Sequence, residues 1–374
     1  MKFLIVSNAP LIIKQEKFFA YSPYVKEMGI WAKYADEVAL CCPQWKKEND
    51  LFVSEVPFVI HTNFWLSDFN IKSVKSLFKA FFQIIYNFLI LFRAMIWADH
   101  IHLRCPGNVG LLASIAQIFF FWKIKTAKYA GNWDPDAKQP WTYKLQRWLL
   151  SNKFLTRNMQ VLVYGEWPNQ TKNIKPFFTA TYSENDANEA ILQRDLNSEI
   201  QFLFVGTLTK GKRPLYAIQL FENLIQKGYN AKLAILGEGK EMTKIKQFCQ
   251  SHQLEDKVTF YGNKELSFVK EMYRTSHFLI LPSKSEGWPK VVAEAMFWGC
   301  VPLSTVVSCV PFMLGNEKRG LVLSLDVNRD GQQITDLLND SEHYHRISND
   351  ASDWSRQYTT DYFEKEIAKL VKRF

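Results

Sequence analysis

A two-domain α/β fold built on parallel sheets is predicted for this chain, on three observations. Apolar runs of strand length recur at 3–6, 37–43, 200–206, 232–237, 258–262, 278–283 and 299–305, and helix-length stretches lie between most of them. Strands buried on both faces read as such unbroken runs, and strand–helix–strand alternation marks a parallel sheet. The chain also has 374 residues, more than one compact core usually holds. Finally, 184–196 is polar, lacks a clear strand period and precedes a fresh apolar run, as a linker does. The domains are accordingly placed at 1–183 and 200–350, with a linker at 184–199 and a helical segment at 351–374.

Composition narrows the class. Hydrophobic residues make up 47% and charged residues 22%, so the chain is globular and not disordered. A formal charge of +9 calls for an anionic partner; nucleic acid, nucleotide-linked substrates and an anionic membrane surface all qualify. The cysteines (Cys41, Cys42, Cys105, Cys249, Cys300 and Cys309) show no Cys-x-x-Cys spacing and mostly sit in apolar runs. That fits a reducing compartment without a zinc site or disulfide framework. The opening apolar run is too short for a signal peptide, so a cytoplasmic location is expected.

In the first domain, strand 3–6 feeds a polar and aromatic loop at 7–21, a helix at 23–34 and a second strand at 37–43. Ligands of parallel sheets bind outside the carboxyl ends of strands, so Asn8 faces the presumed cleft. In the stretch 72–97, residues 80–92 are apolar apart from Gln83 and Asn87, with Lys72, Lys75 and Lys79 before them and Arg93 after. The run is shorter than the roughly 20 residues of a spanning helix. It reads either as a helix lying on a membrane surface or as one buried in the core. Residues 115–128 place Phe119, Phe120, Phe121 and Trp122 beside Lys123, Lys125 and Lys128, which favours contact with an anionic membrane surface.

Residues 99–108 form a strand running into a turn. His102 there reads as a strand histidine satisfied by a neighbour, whereas the fork of Arg104 suits an acidic acceptor or a phosphate. Farther on, Gly131-Asn132-Trp133 offers Asn132 for hydrogen bonding and Trp133 for stacking on a sugar; the alternative is a Gly-Asn turn with an aromatic plug. Asp134-x-Asp136 is ordinary turn chemistry or a metal pair with no third ligand in view. A helix at 141–151 and strands at 160–163 and 177–181 complete this domain.

The second domain opens with a strand ending at Gly206, and its loop carries Thr207, Lys210, Lys212 and Arg213 into a helix from about residue 215. Residues 232–263 repeat the strand–helix–strand pattern and include Gly237. The run 278–283 then meets Ser285-Glu286-Gly287-Trp288-Pro289-Lys290-Val291-Val292-Ala293-Glu294-Ala295-Met296. Pro289 suits a first helical position, and Gly287 lets the backbone turn. A helix N-terminus facing a crevice binds anions through its free N–H groups and dipole. Glu294 lies among apolar neighbours, where an unpaired charge is costly, so a hydroxyl-bearing or cationic partner is expected. A ligand with a pyrophosphate and several hydroxyls, such as a nucleotide sugar, meets both needs.

Glu286 and Glu294, with seven residues between them in this context, resemble the Glu-x7-Glu motif of the family 4 retaining nucleotide-sugar glycosyltransferases, of the bacterial surface-polysaccharide type. The resemblance implies two Rossmann-like domains facing a central cleft, the GT-B architecture. It implies an acceptor domain at 1–183, a nucleotide-sugar domain at 200–350 and a C-terminal helix returning to the first domain. Glu286 would contact the donor sugar and Glu294 the ribose hydroxyls, while the backbone of Gly287, Trp288, Pro289, Lys290 and Val291 would hold the pyrophosphate. Lys212 matches the family lysine that neutralises the leaving diphosphate. Gly206 and Arg213 fall in its phosphate loop, Gly237 matches the donor-binding domain in order and spacing, and Asn263 and Lys264 would lie near the base. Thr207 stands where the family has an arginine, and Asn132 near where many relatives carry a histidine. Asn8, Arg104 and Trp133 would lie on the acceptor side.

The activity so implied is metal-independent retaining hexosyl transfer from a UDP- or GDP-sugar to a lipid-linked or polysaccharide acceptor. Neither a cofactor nor nucleic acid is expected, and the protein would sit peripherally on the inner face of the cell membrane. Two alternatives stay open. One is a scaffold that binds nucleotide or polysaccharide without turnover, suggested by Thr207 and the missing histidine; the other is a nucleotide-sugar epimerase on the same fold.

Overall fold

A computed structural model describes residues 1–47, 52–68 and 74–371, with the side chains of 74–80 left aside. Lys72, Lys372 and Arg373, and the side chains of Lys75 and Lys79, lie outside the described residues. The chain divides into two compact units: Met1–Phe177 with Glu364–Phe374, and Phe178–Phe363.

In the first unit, β1 (Lys2–Val6), β2 (Leu11–Lys14), β3 (Lys17–Tyr21), α1 (Ser22–Ala32), β4 (Glu37–Trp45), β5 (Val53–Glu55) and β6 (Thr62–Leu66) precede α2 (Val74–Trp97). Then come β7 (His100–Cys105), α3 (Asn108–Ala116), β8 (Ile124–Tyr129), α4 (Trp141–Ser151), β9 (Met159–Tyr164) and β10 (Ile174–Phe177). The sheet order is β10-β9-β8-β7-β1-β4-β2-β3-β5, with β6 on β4. β1 is central and parallel to both neighbours, Phe3 lying opposite Val38 and His100, which is why residues 3–6 are wholly apolar and buried.

Three expectations change here. The loop 7–21 contains an antiparallel hairpin, β2 with β3, closed by Gln15 and Glu16, both in the left-handed region at φ 46° and 62°. α2 divides its apolar surface: Leu91, Ala94 and Met95 are buried in the core, while Phe81, Phe82, Leu89 and Ile96 are exposed. Among the described residues no helix is long and apolar enough to cross a membrane. The three lysines expected to flank an aromatic surface are instead engaged. Lys123 donates to the Met95 and Ile96 carbonyls, each at 2.7 Å, at the end of α2. Lys125 is buried against the Gln117 and Phe120 carbonyls, and Lys128 is buried 3.0 Å from the Glu27 carboxylate.

The second unit runs α5 (Glu184–Ala187), β11 (Ile200–Val205), α6 (Pro214–Gln226), β12 (Ala231–Leu236), α7 (Met242–Ser251), β13 (Val258–Gly262) and α8 (Leu266–Thr275). β14 (Phe278–Leu281), α9 (Lys290–Phe297), β15 (Val301–Thr305), α10 (Val310–Leu314), β16 (Leu321–Leu323), α11 (Val327–Leu338) and α12 (Ser341–Ser355) follow. A last helix, α13 (Thr360–Val371), begins within it. Its sheet is parallel, in the order β13-β12-β11-β14-β15-β16, over a core that includes Phe202, Phe204, Phe278, Ile280 and Tyr344.

The stretch 184–199 is not a free linker. Arg194 is buried and donates to the carbonyls of Ser276, Tyr273 and Trp298, so its charge satisfies the ends of neighbouring elements and ties the segment to the second unit. Nor is 351–374 one separate segment. It is shared between the units, and from Glu364 onward it groups with the first, where the Glu364 carboxylate accepts from Lys33 at 2.6 Å and from Tyr34 at 3.3 Å. All six cysteines are unpaired and buried.

Candidate functional site

The order of the second sheet places β11 beside β14, with β12 and β13 on one side and β15 and β16 on the other. Where strand order reverses in this way, the loops leaving the two central strands diverge and open a crevice at their carboxyl ends. The sequence puts its cations in one of these loops and its first glutamate in the other. Lys284 N donates to the Gly211 carbonyl at 2.8 Å, and Arg213 donates to the Pro282 carbonyl at 3.0 Å, so the two loops are joined by backbone as well as side chain. Between them the Lys212 ammonium pairs with the Glu286 carboxylate, whose side chain is only 10% exposed.

Local geometry explains the residue choices. Arg213 precedes α6 in the left-handed region (φ 50°, ψ 51°), a strained conformation for a side chain of that size, held by its bond to Pro282. Gly237 is required by close approach: a Cβ there would lie 2.1 Å from the Gly206 carbonyl oxygen. Gly206 itself, at φ 151°, has open space around it. The motif loop is fastened from the next strand and turn, since Thr305 donates to the Ser283 carbonyl and Ser308 donates to that of Gly287 at 2.8 Å. Trp288 is buried, stacked on Trp354 and edge-on to Tyr358, which anchors the loop.

α9 begins at Lys290, with Pro289 as the capping residue and not the first helical one. No side chain caps it, while Val292 N already donates to the Pro289 carbonyl at 2.9 Å. The first-turn N–H groups of Lys290 and Val291 therefore form the positive end of the helix beside the Lys212–Glu286 pair.

Glu294 differs from its expectation. Its two oxygens accept from Thr181 Oγ1 at 2.6 Å and Tyr273 Oη at 3.1 Å, so protein hydroxyls supply the partners that a ligand was expected to supply. Burial, and then the negative charge of Glu294, push the Tyr273 phenol well above its ordinary value, keeping it a donor. Each carboxylate oxygen retains a further lone pair. The cavity beside Glu294 toward Thr181 and Tyr358 holds about 10 Å³, room for one water at most. Asn263 and Lys264 are exposed just after β13, with Gly262 accepting from Gly237 N at 2.8 Å.

The remaining site candidates lie in the first unit. Asn8 is exposed at the carboxyl end of β1. Arg104 is not available as expected: it donates to Glu27 at 2.5 Å, in a buried triad with Lys128. Burial raises the Glu27 carboxyl, but Arg104 and Lys128 outweigh it and hold it down at about 2. Trp133 is the aromatic plug, 1% exposed and edge-on to Tyr129, its indole N–H donating to Gln170 at 3.0 Å. Asn132 is half-buried, and its side-chain oxygen accepts from Asp134 N at 2.9 Å. Asp134 does the same for Asp136 N, which makes this a run of Asx turns. His102 donates to or accepts from Thr126 at 2.8 Å and is fully buried; burial holds its ring well below the usual histidine range.

The structure thus brings together Gly206, Lys212, Arg213, Gly237, Glu286, Gly287 and the start of α9. Sequence reasoning missed Thr181, Tyr273, Thr305 and Ser308, which lie outside the motif; only the Ser304-Thr305 end of an apolar run hinted at polar support there.

Comparison with known proteins bears on the same half of the chain. Residues 188–354 match the family of glycosyl transferases group 1. N-acetyl-alpha-D-glucosaminyl L-malate synthase of Bacillus anthracis is 26% identical over 178 residues, 47% of this chain and 44% of that protein. The chain spans about half the length of the curated relatives it matches first. Sucrose-phosphate synthase from Thermosynechococcus elongatus superposes with a TM-score of 0.66 and 17% identity, covering 100% of this chain and 98% of that one. Anabaena HepE, solved in complex with UDP and glucose, gives 0.68 at 12% identity and full coverage of both chains. Residues 188–354 therefore carry a glycosyl transferases group 1 match, on a chain with the fold of the GT-B glycosyltransferases.

Proposed function

We propose that the protein is a retaining glycosyltransferase whose second unit binds a nucleoside-diphosphate sugar and whose acceptor is lipid-linked or polysaccharide. The family match and the fold support a transferase. The observation that carries the finer reading is the Lys212–Glu286 pair, set at the strand-order reversal beside the free N-terminus of α9. In the proposed reaction, the bond between the anomeric carbon and the β-phosphate oxygen breaks, and the acceptor hydroxyl oxygen bonds to that carbon from the same face. The acceptor's proton passes to the departing phosphate. Negative charge grows on that phosphate, and a fixed cation with helix N–H donors stabilises it without reorganising. In this route Lys212 leaves Glu286 for the diphosphate, and Glu286 turns to the sugar hydroxyls. Glu294, oriented by Thr181 and Tyr273, offers its remaining lone pairs to the ribose. No metal ion enters the route, and UDP and GDP sugars are the donors to try.

We further infer that the first unit rests on an anionic membrane surface at the inner face of the cell membrane, through the exposed apolar side of α2. A second functional reading, a nucleotide-binding scaffold without turnover, is favoured by one observation. Thr207 is exposed where the family arginine would stand, and the guanidinium of Arg213, the nearest cation after Lys212 in that loop, is turned to the Pro282 carbonyl. Incubation of the purified chain with UDP- and GDP-sugars separates the two. Nucleotide release abolished by Glu286→Ala supports the transferase. Tight nucleotide binding without release supports the scaffold, and release that survives Glu286→Ala refutes the site.

A further inference from the structure

The first unit holds a cavity of about 670 Å³, lined at the ends where β8, β9 and β10 begin and by Leu370. This is the opposite end of those strands from the one where parallel sheets bind their substrates. Five cationic side chains line it, Lys125, Lys153, Arg157, Lys172 and Lys175, with no aspartate or glutamate among the lining residues. Three separate segments supply them. A protein surface normally mixes the two signs, and a concave site with one sign concentrates counter-ions.

Lys125 strengthens the case. It is 1% exposed, and the groups its ammonium meets are the backbone carbonyls of Phe120 at 3.0 Å and Gln117 at 3.3 Å. Burial alone draws it down to about 8, with no acidic side chain opposing. Its ammonium stays on those carbonyls and adds positive charge behind the cavity wall, while the exposed Lys153, Arg157, Lys172 and Lys175 are the cations an anion can reach.

The rim is apolar. Phe154, next to Lys153, is 79% exposed, and Phe121 is 50% exposed beneath the Arg157 guanidinium, 5.8 Å away. Phe121 lies edge-on to Trp122, which contacts Phe120, and Phe120 contacts Phe92 of α2. Phe119, exposed, touches Phe88 and Phe92 as well. A cationic pocket therefore lies beside exposed aromatic side chains, and through Phe119 and Phe120 this region packs on the partly buried Phe88 and Phe92 of α2.

From this placement we propose that the cavity takes the phosphate of an anionic phospholipid, the aromatic rim entering the acyl boundary beside it. A soluble phosphate would use the cations and leave the rim in water. A lipid uses both, and aromatic side chains beside basic ones are the usual composition of an interfacial contact. The proposal rests on the membrane reading above and adds to it a discrete headgroup site, separate from the nucleotide-sugar site of the second unit.

The test is flotation of the full chain with vesicles of phosphatidylcholine alone or containing phosphatidylglycerol. Three proteins are compared with the wild type. One carries Lys153→Ser, Arg157→Ser and Lys172→Ser, all exposed positions; a control carries Lys244→Ser, Lys246→Ser and Lys318→Ser, removing equal charge from the second unit; a third carries Phe81→Ser and Leu89→Ser on α2. The cavity variant is expected to lose at least about tenfold in partition onto phosphatidylglycerol vesicles, since each cation near such a surface contributes separately. Its melting temperature and its binding of UDP should not change, and the charge control should float as the wild type does. Equal loss in the control would reduce the site to diffuse charge and overturn it. Undiminished flotation of the cavity variant while the α2 variant falls off would overturn the cavity and leave the membrane reading standing. Failure of the wild type to float with either vesicle would overturn both. Competition by free glycerol phosphate at millimolar concentration would overturn the lipid as occupant; no competition supports it.

Discussion

Replacing Lys212 by methionine separates two roles that the structure superimposes on one side chain. Glu286, 10% exposed, loses its counter-ion, and Lys212, 28% exposed, is close enough to water that the pair is only partly desolvated. Breaking a fully buried pair costs about 3–5 kcal/mol, so with this exposure about 1–2 kcal/mol is expected. For a domain of this size that lowers the melting temperature by about 2–4 °C per kcal/mol. The loss in turnover should be larger. Removing one pre-set donor to a developing oxyanion costs about 100- to 1000-fold in rate, or about 2.7–4 kcal/mol. A double variant, Lys212→Met with Glu286→Gln, eliminates both charges and should recover most of the lost melting temperature. Nucleotide release by this protein, followed with a coupled assay for UDP or GDP, should stay down. The reasoning is refuted if Lys212→Met releases nucleotide near the wild-type rate, or if the stabilised double variant regains it.

Three further outcomes are expected. Thr207→Arg, which puts the family's arginine back at an exposed position after β11, should tighten UDP or GDP binding by about tenfold, the value of one charge-assisted hydrogen bond, as read by calorimetry. Glu27 has a folded pKa of about 2 against an ordinary 4.5, so its contribution is complete above 4.5 and disappears as pH falls toward 2. Thermal melts should show that loss in the wild type, on the order of 3 kcal/mol, and little of it in Glu27→Gln, which should already be destabilised at neutral pH because Arg104 and Lys128 lose the Glu27 carboxylate. Trp133→Phe should lower stability, by about 1–3 kcal/mol through lost packing and an unpaired Gln170, while the KM for the acceptor stays unchanged, because the indole is a plug and touches no substrate.

Much of the fold was legible because parallel strands are buried on both faces: residues 200–205 and 278–281 could be nothing but interior. The hairpin of β2 and β3 was hidden by its turn. Gln15 and Glu16 adopt positive φ where glycine or asparagine usually announces the bend, so the segment read as a loop. Residues 184–199 look like a linker because their polarity is real; what escaped notice was that Arg194 turns inward to carbonyls contributed by residues 273–298. Of the candidate site, the motif spacing and Lys212 were readable since both lie directly after strands. The partners of Glu294 were not, because Thr181 and Tyr273 are brought to it only by folding. The same holds for the basic cavity. Apart from Lys125, its cations come from positions 153–157 and 172–175, which form no conspicuous run. Lys123, Lys125 and Lys128 do form one, and they point to carbonyls and to Glu27.

The central claim is that a diphosphate docks between Lys212 and the first turn of α9. A crystal structure of the chain with UDP, or with GDP should that bind more tightly, tests it most directly. The β-phosphate is expected within hydrogen-bonding distance of Lys212 Nζ and of the Lys290 or Val291 N–H, with the ribose against Glu294. A nucleotide bound elsewhere, with the Lys212–Glu286 pair intact, would contradict it.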